Sequence, residues 1–399
     1  MSNKSDFMIL IENGILSKLP WFICVILDNR QELSSKTRTF IPAITYFYHI
    51  LFFHNIQNHM NHRIILQFVF LILLCQNASA QHEKSIIIQP GECWYGMGSG
   101  LGPRLPIKSD TPDRTFRSLG FDLGGQYLIS SHGRYIWCDK SYTLEKKDSM
   151  MIVSCNRADI ELGENGNTLR DAYMAVSKHF PPSGKTPPEE FFVAPTYNTW
   201  IELGYKQNQK GVMEYARGIL ANGLKPGVLM IDGTWQFDHG EWDFRADRFP
   251  NPKEMVDSLH AMGFKVMVWC SPFISPDCMM YRTHKGLYYL AKGKESTAII
   301  NWWVGYSAGY DLSNPKAFEF LTSQFRSLQE RYGIDGFKFD AGDCHCYQEK
   351  DIDVYDGKSY DMDQTRLWAK LAKQFPYNEL RACWGEQSQP IIIRLGDQS

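Results

Sequence analysis

The nine residues Asp-Gly-Phe-Lys-Phe-Asp-Ala-Gly-Asp at positions 335–343 decide the fold class of this 399-residue chain. Asp335–Phe339 predicts a strand, and alternation along a strand directs Lys338 and Asp340 to the same side. An ammonium group two residues from a carboxylate favours the ionised form of that carboxylate, which a nucleophile requires. The stretch therefore predicts a strand that carries reactive side chains into one pocket.

The same pattern of a strand followed by a helix extends through the second half of the chain. Apolar strands that alternate with amphipathic helices predict a parallel sheet, and their spacing favours a (β/α)8 barrel over an open sheet. Only six strands are predicted, so we expect an incomplete barrel. The predicted strands are Phe191–Tyr197, Gly227–Ile231, Lys265–Cys270, Asp335–Phe339, Glu379–Cys383 and Ile391–Leu395. The predicted helices are Gln209–Asn222, Pro252–Met262, Pro315–Tyr332 and Gln364–Gln374.

We expect the barrel over residues 189–399. The chain before it divides into three segments. Residues 81–188 contain short strands separated by turns, then a proline-rich linker, and predict a small β-sandwich-like domain. Residues 60–80 combine a positive flank, a short apolar run and Ala78-Ser79-Ala80, which is typical of a secretory signal peptide; a short buried helix or signal anchor is the alternative. Residues 1–59 show no sustained period and are a doubtful upstream extension. We therefore expect a secreted or periplasmic protein with no stable membrane anchor.

Composition excludes several functional classes. The 42 basic and 44 acidic residues leave no excess positive charge for nucleic acid, and the 14% aromatic content is enough for a large core. Cys344-His345-Cys346 offers metal-binding residue types, but adjacent residues converge poorly on one tetrahedral ion, so we expect no metal. The glycine-rich run at 96–102 is followed by prolines where a phosphate-binding loop would need a helix. No cofactor is expected.

The side chains that follow the predicted barrel strands are the candidate functional residues, because barrel chemistry lies at the carboxyl ends of the strands. They are Asp232, Trp269, Lys338 with Asp340, Arg381 and Asp397. Two carboxylates at one mouth fit glycoside hydrolysis, in which a retaining enzyme uses one as the nucleophile and the other as the acid and base. For any single aspartate, a helix cap or a surface ion pair is the alternative.

Motifs from about Pro195 to the last residue resemble glycoside hydrolase family 31. They are Leu229–Asp232, Trp242–Phe244, Arg248–Pro252, Gly263–Val266, Trp269–Ile274 and Gly336–Asp343. Trp302-Trp303 before Gly305 and Gln387-Ser388-Gln389 resemble in particular the branch that contains the myogenesis-regulating glycosidase.

This resemblance implies that Asp340 is the nucleophile and Asp397 the acid and base. It also implies substrate-binding positions, which are Asp232, Trp269, Trp303, Lys338, Arg381 and Arg394. Many family members have a tryptophan where this chain has Arg394, so the substrate of the common α-glucosidases is in doubt.

The leading hypothesis is a retaining exo-α-glycosidase that acts on an α-glucoside or α-galactoside. The alternative is a catalytically inactive carbohydrate-binding or regulatory relative. A barrel isomerase or aldolase is disfavoured, because no glycine-rich phosphate site follows the predicted strands. The long connection Ser271–Asn314 is expected to cap the pocket with Trp302, Trp303, Tyr306 and Tyr310, with a packing excursion as the alternative.

Overall fold

The computed structural model of this protein describes residues 82–118, 123–285, 287–292, 296–347, 352–357 and 362–394. The predicted signal peptide, the segment before it and Asp397 therefore lie outside the described residues. Within these ranges, no helix combines the length and the apolar character needed to cross a bilayer.

Two antiparallel four-stranded sheets form the first part of the structure. The elements are β1 (His82–Ile87), β2 (Trp94–Gly96), β3 (Arg114–Arg117), β4 (Leu123–Gly124), β5 (Tyr127–Ser130), β6 (Arg134–Trp137), β7 (Thr143–Lys147), β8 (Met150–Cys155), β9 (Glu161–Glu164) and α1 (Leu169–Val176). One sheet has the order β1-β8-β7-β3 and the other β2-β5-β6-β9. Alternate residues of both sheets, including Leu128, Ile136, Leu144 and Val153, pack into one buried core. The predicted β-sandwich-like architecture is confirmed.

The second part alternates strands and helices. The elements are α2 (Glu190–Val193), β10 (Thr196–Asn198), α3 (Trp200–Leu203), α4 (Gln209–Ala221), β11 (Val228–Ile231), α5 (Pro252–Ala261), β12 (Lys265–Cys270), β13 (Phe273–Ile274), α6 (Met279–His284), β14 (Ala291–Lys292), β15 (Ser296–Thr297), β16 (Ile299–Trp302), β17 (Gly305–Gly309), α7 (Pro315–Tyr332), β18 (Gly336–Phe339), α8 (Asp363–Ala372), β19 (Tyr377–Leu380), β20 (Cys383–Trp384) and β21 (Ile392–Ile393).

Six parallel strands in the order β10-β11-β12-β18-β19-β21 form a half-barrel. Every residue of β11 and β18 is buried, because the barrel interior covers one face of the sheet and helices cover the other. Phe325 of α7 stacks on Phe337 of β18 with ring centroids 5.0 Å apart. The order of strands and the helices between them confirm the predicted incomplete barrel.

The first predicted barrel strand, Phe191–Tyr197, is wrong in its first half. Glu190–Val193 forms the short helix α2, and the strand begins only at Thr196. Pro195 disfavours a helical conformation at Ala194, which is extended, so the helix stops there. The apolar residues that suggested a strand lie on the surface instead, with Phe192 67% exposed.

The connection between β12 and α7 folds into a small antiparallel unit. Its sheets are β13-β17-β16 and the pair β14-β15. Trp302 and Tyr310 are buried, whereas Trp303 is 50% exposed and Tyr306 is 72% exposed. Tyr310, which was expected in the cap over the pocket, instead packs in the core, where its ring centroid lies 5.2 Å from that of Tyr289.

Candidate active site

Three neighbouring barrel strands present one row of functional side chains. Trp269 of β12 lies opposite Lys338 of β18, and Lys338 lies opposite Glu379 of β19. Residues that pair in this way share a face of the sheet. Asp340 and Arg381 come two residues further along their chains, at the carboxyl ends of β18 and β19, where a barrel places its chemistry.

Asp340 is buried, and both of its carboxylate oxygens accept hydrogen bonds. The indole Nε1 of Trp269 donates to Oδ2 at 2.7 Å. The backbone N–H of Ala341 donates to Oδ1 at 3.0 Å, and the guanidinium of Arg394 donates to the same oxygen at 3.1 Å. Donors on both oxygens fix the orientation of the carboxylate and compensate its charge.

The backbone directly after Asp340 turns through two left-handed residues. Ala341 has φ of 57° and Gly342 has φ of 74°. A Cβ atom on Gly342 would lie 2.8 Å from a ring carbon of Trp368, so this position also needs a residue without a side chain. Backbone strain of this kind persists where the surrounding structure enforces it, and here it aims the Ala341 N–H at Asp340.

Lys338 and Asp232 form a buried ion pair beside Asp340. The Lys338 Nζ lies 2.6 Å from Oδ2 of Asp232, and Nδ2 of Asn198 donates to that oxygen at 2.7 Å. Burial lowers the pKa of Lys338, but attraction to Asp232 and Asp340 outweighs it, so the pKa is raised overall. The site thus holds a charged ammonium 3.9 Å from Oδ2 of Asp340.

Arg381 connects Asp340 to the rim of the pocket. Its Nε lies 3.9 Å from Oδ1 of Asp340 and donates to Asp343 at 3.2 Å. The guanidinium lies 4.6 Å from the ring centroid of Trp303, within the range of a cation–π contact. Trp303 therefore presents a half-exposed aromatic face next to the catalytic candidates.

Trp269 is nearly buried and belongs to an aromatic group behind Asp340. Its ring stacks with that of Trp302 at a centroid distance of 6.4 Å, and the ring of His239 meets both indoles edge-on. Burial lowers the pKa of His239, which favours the neutral imidazole. The packing of these rings around Trp269 holds its indole N–H toward the carboxylate of Asp340.

The structure brings together seven of the eight predicted site residues, with Trp303 joined through its contact with Arg381. Asp340 has its neighbours Lys338, Trp269, Arg381 and Arg394 within direct contact distance, and Asp232 joins through Lys338. The predicted acid and base, Asp397, is not among the described residues.

Two polar residues of the site were missed by sequence reasoning. Asn198 follows Tyr197, the end of the first predicted strand, so the rule that selected Asp232 could have selected it too. Glu379 begins a predicted strand, two residues before Arg381, and the alternation that paired Lys338 with Asp340 would have placed it in the pocket.

The donor atoms of Asp343, His345 and Cys346 lie within 4.8 Å of one another, although a metal was not expected here. The Asp343 carboxylate already accepts from Arg381 at 3.2 Å. Burial raises the pKa of the Cys346 thiol to about 12, so the thiol is protonated at neutral pH rather than a ready ligand. Both features favour a protein-only polar cluster.

Comparison with known proteins agrees with this geometry. Residues 195–391 match the family model described as the glycosyl hydrolases family 31 TIM-barrel domain. The chain is 28% identical over 229 residues to the myogenesis-regulating glycosidase of Mus musculus, covering 57% of this chain and 32% of that protein. It is 23% identical over 251 residues to an α-xylosidase of Lactiplantibacillus pentosus, covering 58% of this chain and 31% of that protein. The chain thus spans about a third of the length of these curated relatives.

Solved structures share the fold. A family 31 dextranase of Flavobacterium johnsoniae complexed with glucose superposes with a TM-score of 0.67 at 15% identity, covering 79% of this chain and 42% of the dextranase. A family 31 α-xylosidase from a soil metagenome complexed with xylose gives a TM-score of 0.66 at 20% identity. The superposition covers 81% of this chain and 49% of the xylosidase. These likenesses show the fold, and the match of residues 195–391 to the family model shows that the chain belongs to glycosyl hydrolase family 31.

Proposed function

We propose that this protein is a retaining exo-α-glycosidase that hydrolyses terminal α-linked glucosides or galactosides. The observation that carries the proposal is the buried Asp340 carboxylate, held on both oxygens at the carboxyl end of β18. The names of the relatives support the general kind of activity, since they include glycosidases and α-xylosidases. The choice between glucoside and galactoside is part of the proposal.

In the first half of the reaction, an oxygen of Asp340 attacks the anomeric carbon of the terminal sugar. The bond from that carbon to the glycosidic oxygen breaks, and Asp397 supplies the proton that the departing oxygen takes up. In the second half, Asp397 takes a proton from water, whose oxygen displaces Asp340 from the anomeric carbon. Two displacements at one carbon retain its configuration.

The residues around Asp340 have separate tasks in this reaction. Trp269 and Arg394 orient the carboxylate of Asp340, the nucleophile. The negative charge of this carboxylate also stabilises the positive charge that develops on the sugar. Asp232 and Lys338 form a buried polar pair suited to sugar hydroxyl groups, while Trp303 offers an aromatic face for the apolar side of a sugar ring.

The experiment compares wild-type protein with Asp340→Asn on aryl α-glucosides, α-galactosides and α-xylosides. We expect turnover of one of these substrates by the wild type and a loss of at least about 1,000-fold in Asp340→Asn, because an amide cannot act as the nucleophile. Asp257→Asn is the matched control, since this aspartate forms an exposed ion pair with Lys253 on helix α5. Equal activity in both variants would contradict the proposal, and sugar binding without turnover would support the carbohydrate-binding alternative.

We also propose that the protein is exported. The proposal is supported by the apolar run Ile64–Leu74 and the small residues Ala78-Ser79-Ala80 that follow it.

A further inference from the structure

We propose that Glu379 binds a hydroxyl group of the terminal sugar and helps to select which sugar enters the pocket. This inference rests on the proposed function, because it assigns a further contact in the same pocket.

The position of Glu379 in the barrel directs its side chain to the site. Glu379 pairs with Lys338 across β18 and β19, so the two side chains lie on the same face of the sheet. Lys338 reaches Asp232 and lies 3.9 Å from Asp340 on that face. Glu379 therefore belongs to the layer of the barrel just beneath Asp340 and Arg381.

Glu379 has an unused hydrogen-bonding capacity in a buried place. The residue is only 9% exposed, and its Oε1 accepts no hydrogen bond from any residue in the described ranges. Leaving a buried acceptor unpaired is unfavourable, so such an atom beside the candidate site is expected to find a partner when a ligand binds. A hydroxyl group of a bound sugar is a partner of the right chemistry.

The neighbouring cations are committed to other carboxylates. Lys338 Nζ lies 2.6 Å from Asp232, and the Arg394 guanidinium donates to Asp340 at 3.1 Å. The Nε of Arg394 remains 4.0 Å from Oε1 of Glu379, which is beyond hydrogen-bond distance. These cations attract Glu379 without donating a hydrogen bond to its Oε1, so this acceptor remains available to a ligand hydroxyl group.

The protonation of Glu379 suits a neutral polar ligand. Burial raises its pKa, and the attraction of Lys338 and Arg394 opposes this only in part. A carboxyl group of this kind can accept a hydrogen bond from a sugar hydroxyl when ionised, and can also donate one when protonated. It would repel an acidic substituent on the sugar when ionised, so an uncharged sugar is the expected occupant.

A contact of this kind contributes to specificity. A site that contains a buried group for one hydroxyl rejects an analogue that lacks this hydroxyl, because the buried group is then left unpaired. The test therefore pairs removal of the Glu379 side chain with removal of single hydroxyl groups from the ligand.

The experiment measures equilibrium binding of glucose, galactose and xylose by calorimetry, and then of the single-deoxy analogues of whichever sugar binds. Wild type, Glu379→Gln and Glu379→Ala are compared, and melting temperatures are recorded for each. Glu386→Gln is the control, because Glu386 is also buried but pairs with Lys373 at 2.6 Å.

We expect Glu379→Ala to bind the parent sugar about tenfold more weakly, with a smaller loss in Glu379→Gln, whose amide keeps an acceptor. At one hydroxyl position, removing the hydroxyl should weaken binding to the wild type about tenfold and leave binding to Glu379→Ala unchanged. A purely structural role would lower the melting temperature and weaken binding of every analogue equally.

Equal losses at every hydroxyl position, or no binding of any of these sugars to the wild type, would overturn the inference. Binding does not require turnover, so this test is separate from that of the proposed function: sugar binding with the expected coupling but no hydrolysis would retain the role of Glu379 and reject the glycosidase.

Discussion

Lys338 is the residue on which the charge balance of the pocket depends. Its ammonium lies between Asp232 and Asp340, at 2.6 Å and 3.9 Å, in a place from which water is nearly excluded. Removal of one partner from a buried ion pair leaves the other charge uncompensated, which costs more than the pair itself contributes. Lys338 is therefore expected to serve stability as well as catalysis.

We predict that Lys338→Met lowers the free energy of unfolding by about 3 kcal/mol, because Asp232 then lacks its counter-ion. Chemical denaturation at pH 7 measures this loss. The double variant with Asp232→Asn should recover a large part of it, since the unpaired charge is then gone. Additive losses in the double variant would show that the two side chains do not act as a pair.

Trp303 is predicted to bind sugar rather than to stabilise the fold. Half of its surface is exposed, and its ring lies beneath the Arg381 guanidinium at 4.6 Å. Trp303→Ala should weaken sugar binding about tenfold, which corresponds to about 1.4 kcal/mol. It should lower the free energy of unfolding by less than about 0.5 kcal/mol, as is usual for an exposed position.

Calorimetric binding and thermal denaturation of the same preparation check both parts of the Trp303 prediction. Tyr173→Ala serves as the control, because Tyr173 is a comparably exposed aromatic residue on α1 of the sandwich part. Equal losses of binding and stability in Trp303→Ala would contradict the prediction that Trp303 binds sugar rather than stabilising the fold.

At the residue scale, alternation along a strand predicted Lys338 and Asp340 as partners. It did not reveal that the indole N–H of Trp269 donates a hydrogen bond to Asp340, because that contact joins residues 71 positions apart in the chain. Alternation could also have placed Glu379 in the pocket, but its burial and its unpaired carboxylate oxygen are visible only in the structure.

At the element scale, the strand that ends at Asp340 is packed closely against its neighbour. Gly336 opens β18, and a Cβ atom there would lie 1.8 Å from the backbone oxygen of Tyr377 in β19. No real structure tolerates such a distance, so the strands would have to separate. Asp340 lies four residues further on and would move with them.

Gly336→Ala is therefore predicted to destabilise the protein by at least about 3 kcal/mol through this overlap with backbone. Gly218→Ala is the control, because Gly218 lies in helix α4 with no atom near the position of an added Cβ. That substitution should stabilise the protein by about 0.5–1 kcal/mol, since alanine favours a helix. Melting curves of the two variants compare them directly, and a harmless Gly336→Ala would contradict the packing of β18 on β19.

Long periodic elements and the short buried strands β11 and β18 were well predicted, and the errors fell at other short strands. The bounds of β12 and of α7 agree with the prediction, because a buried apolar run and a capped amphipathic helix leave few alternatives. The predicted strand Glu379–Cys383 was wrong in its extent. Its end instead forms β20, which pairs with β4 of the first part, a contact between distant segments that no local pattern contains.

At the scale of the whole molecule, the sandwich and the half-barrel meet through specific contacts. Besides the pairing of β4 with β20, Arg366 of α8 donates to Asp139 at 3.0 Å. Because β20 follows β19 in the chain, its pairing with β4 ties the sandwich to the segment just after Arg381. Residues 60–80, before the sandwich, carry the signal peptide that we propose directs export.

We predict that the protein is cleaved after Ala80 when a cell exports it, so that the mature chain begins with Gln81. Amino-terminal sequencing of protein recovered from the medium or periplasm measures this. Ala80→Pro should block the cleavage, because a signal peptidase accepts small residues at that site. Recovery of uncleaved protein from the cytoplasm would contradict the proposed export.

The most direct measurement of the central claim is covalent trapping of the nucleophile. A 5-fluoro-α-glycosyl fluoride, in the glucose or galactose form, releases fluoride without a proton donor, while its ring fluorine slows hydrolysis of the glycosyl enzyme. We predict that mass spectrometry finds one fluoroglycosyl group on the wild-type protein, on the peptide containing Asp340, and none on Asp340→Asn. A fluoroglycosyl group on another carboxylate, or no adduct on a protein that binds the sugar, would contradict the assignment of Asp340.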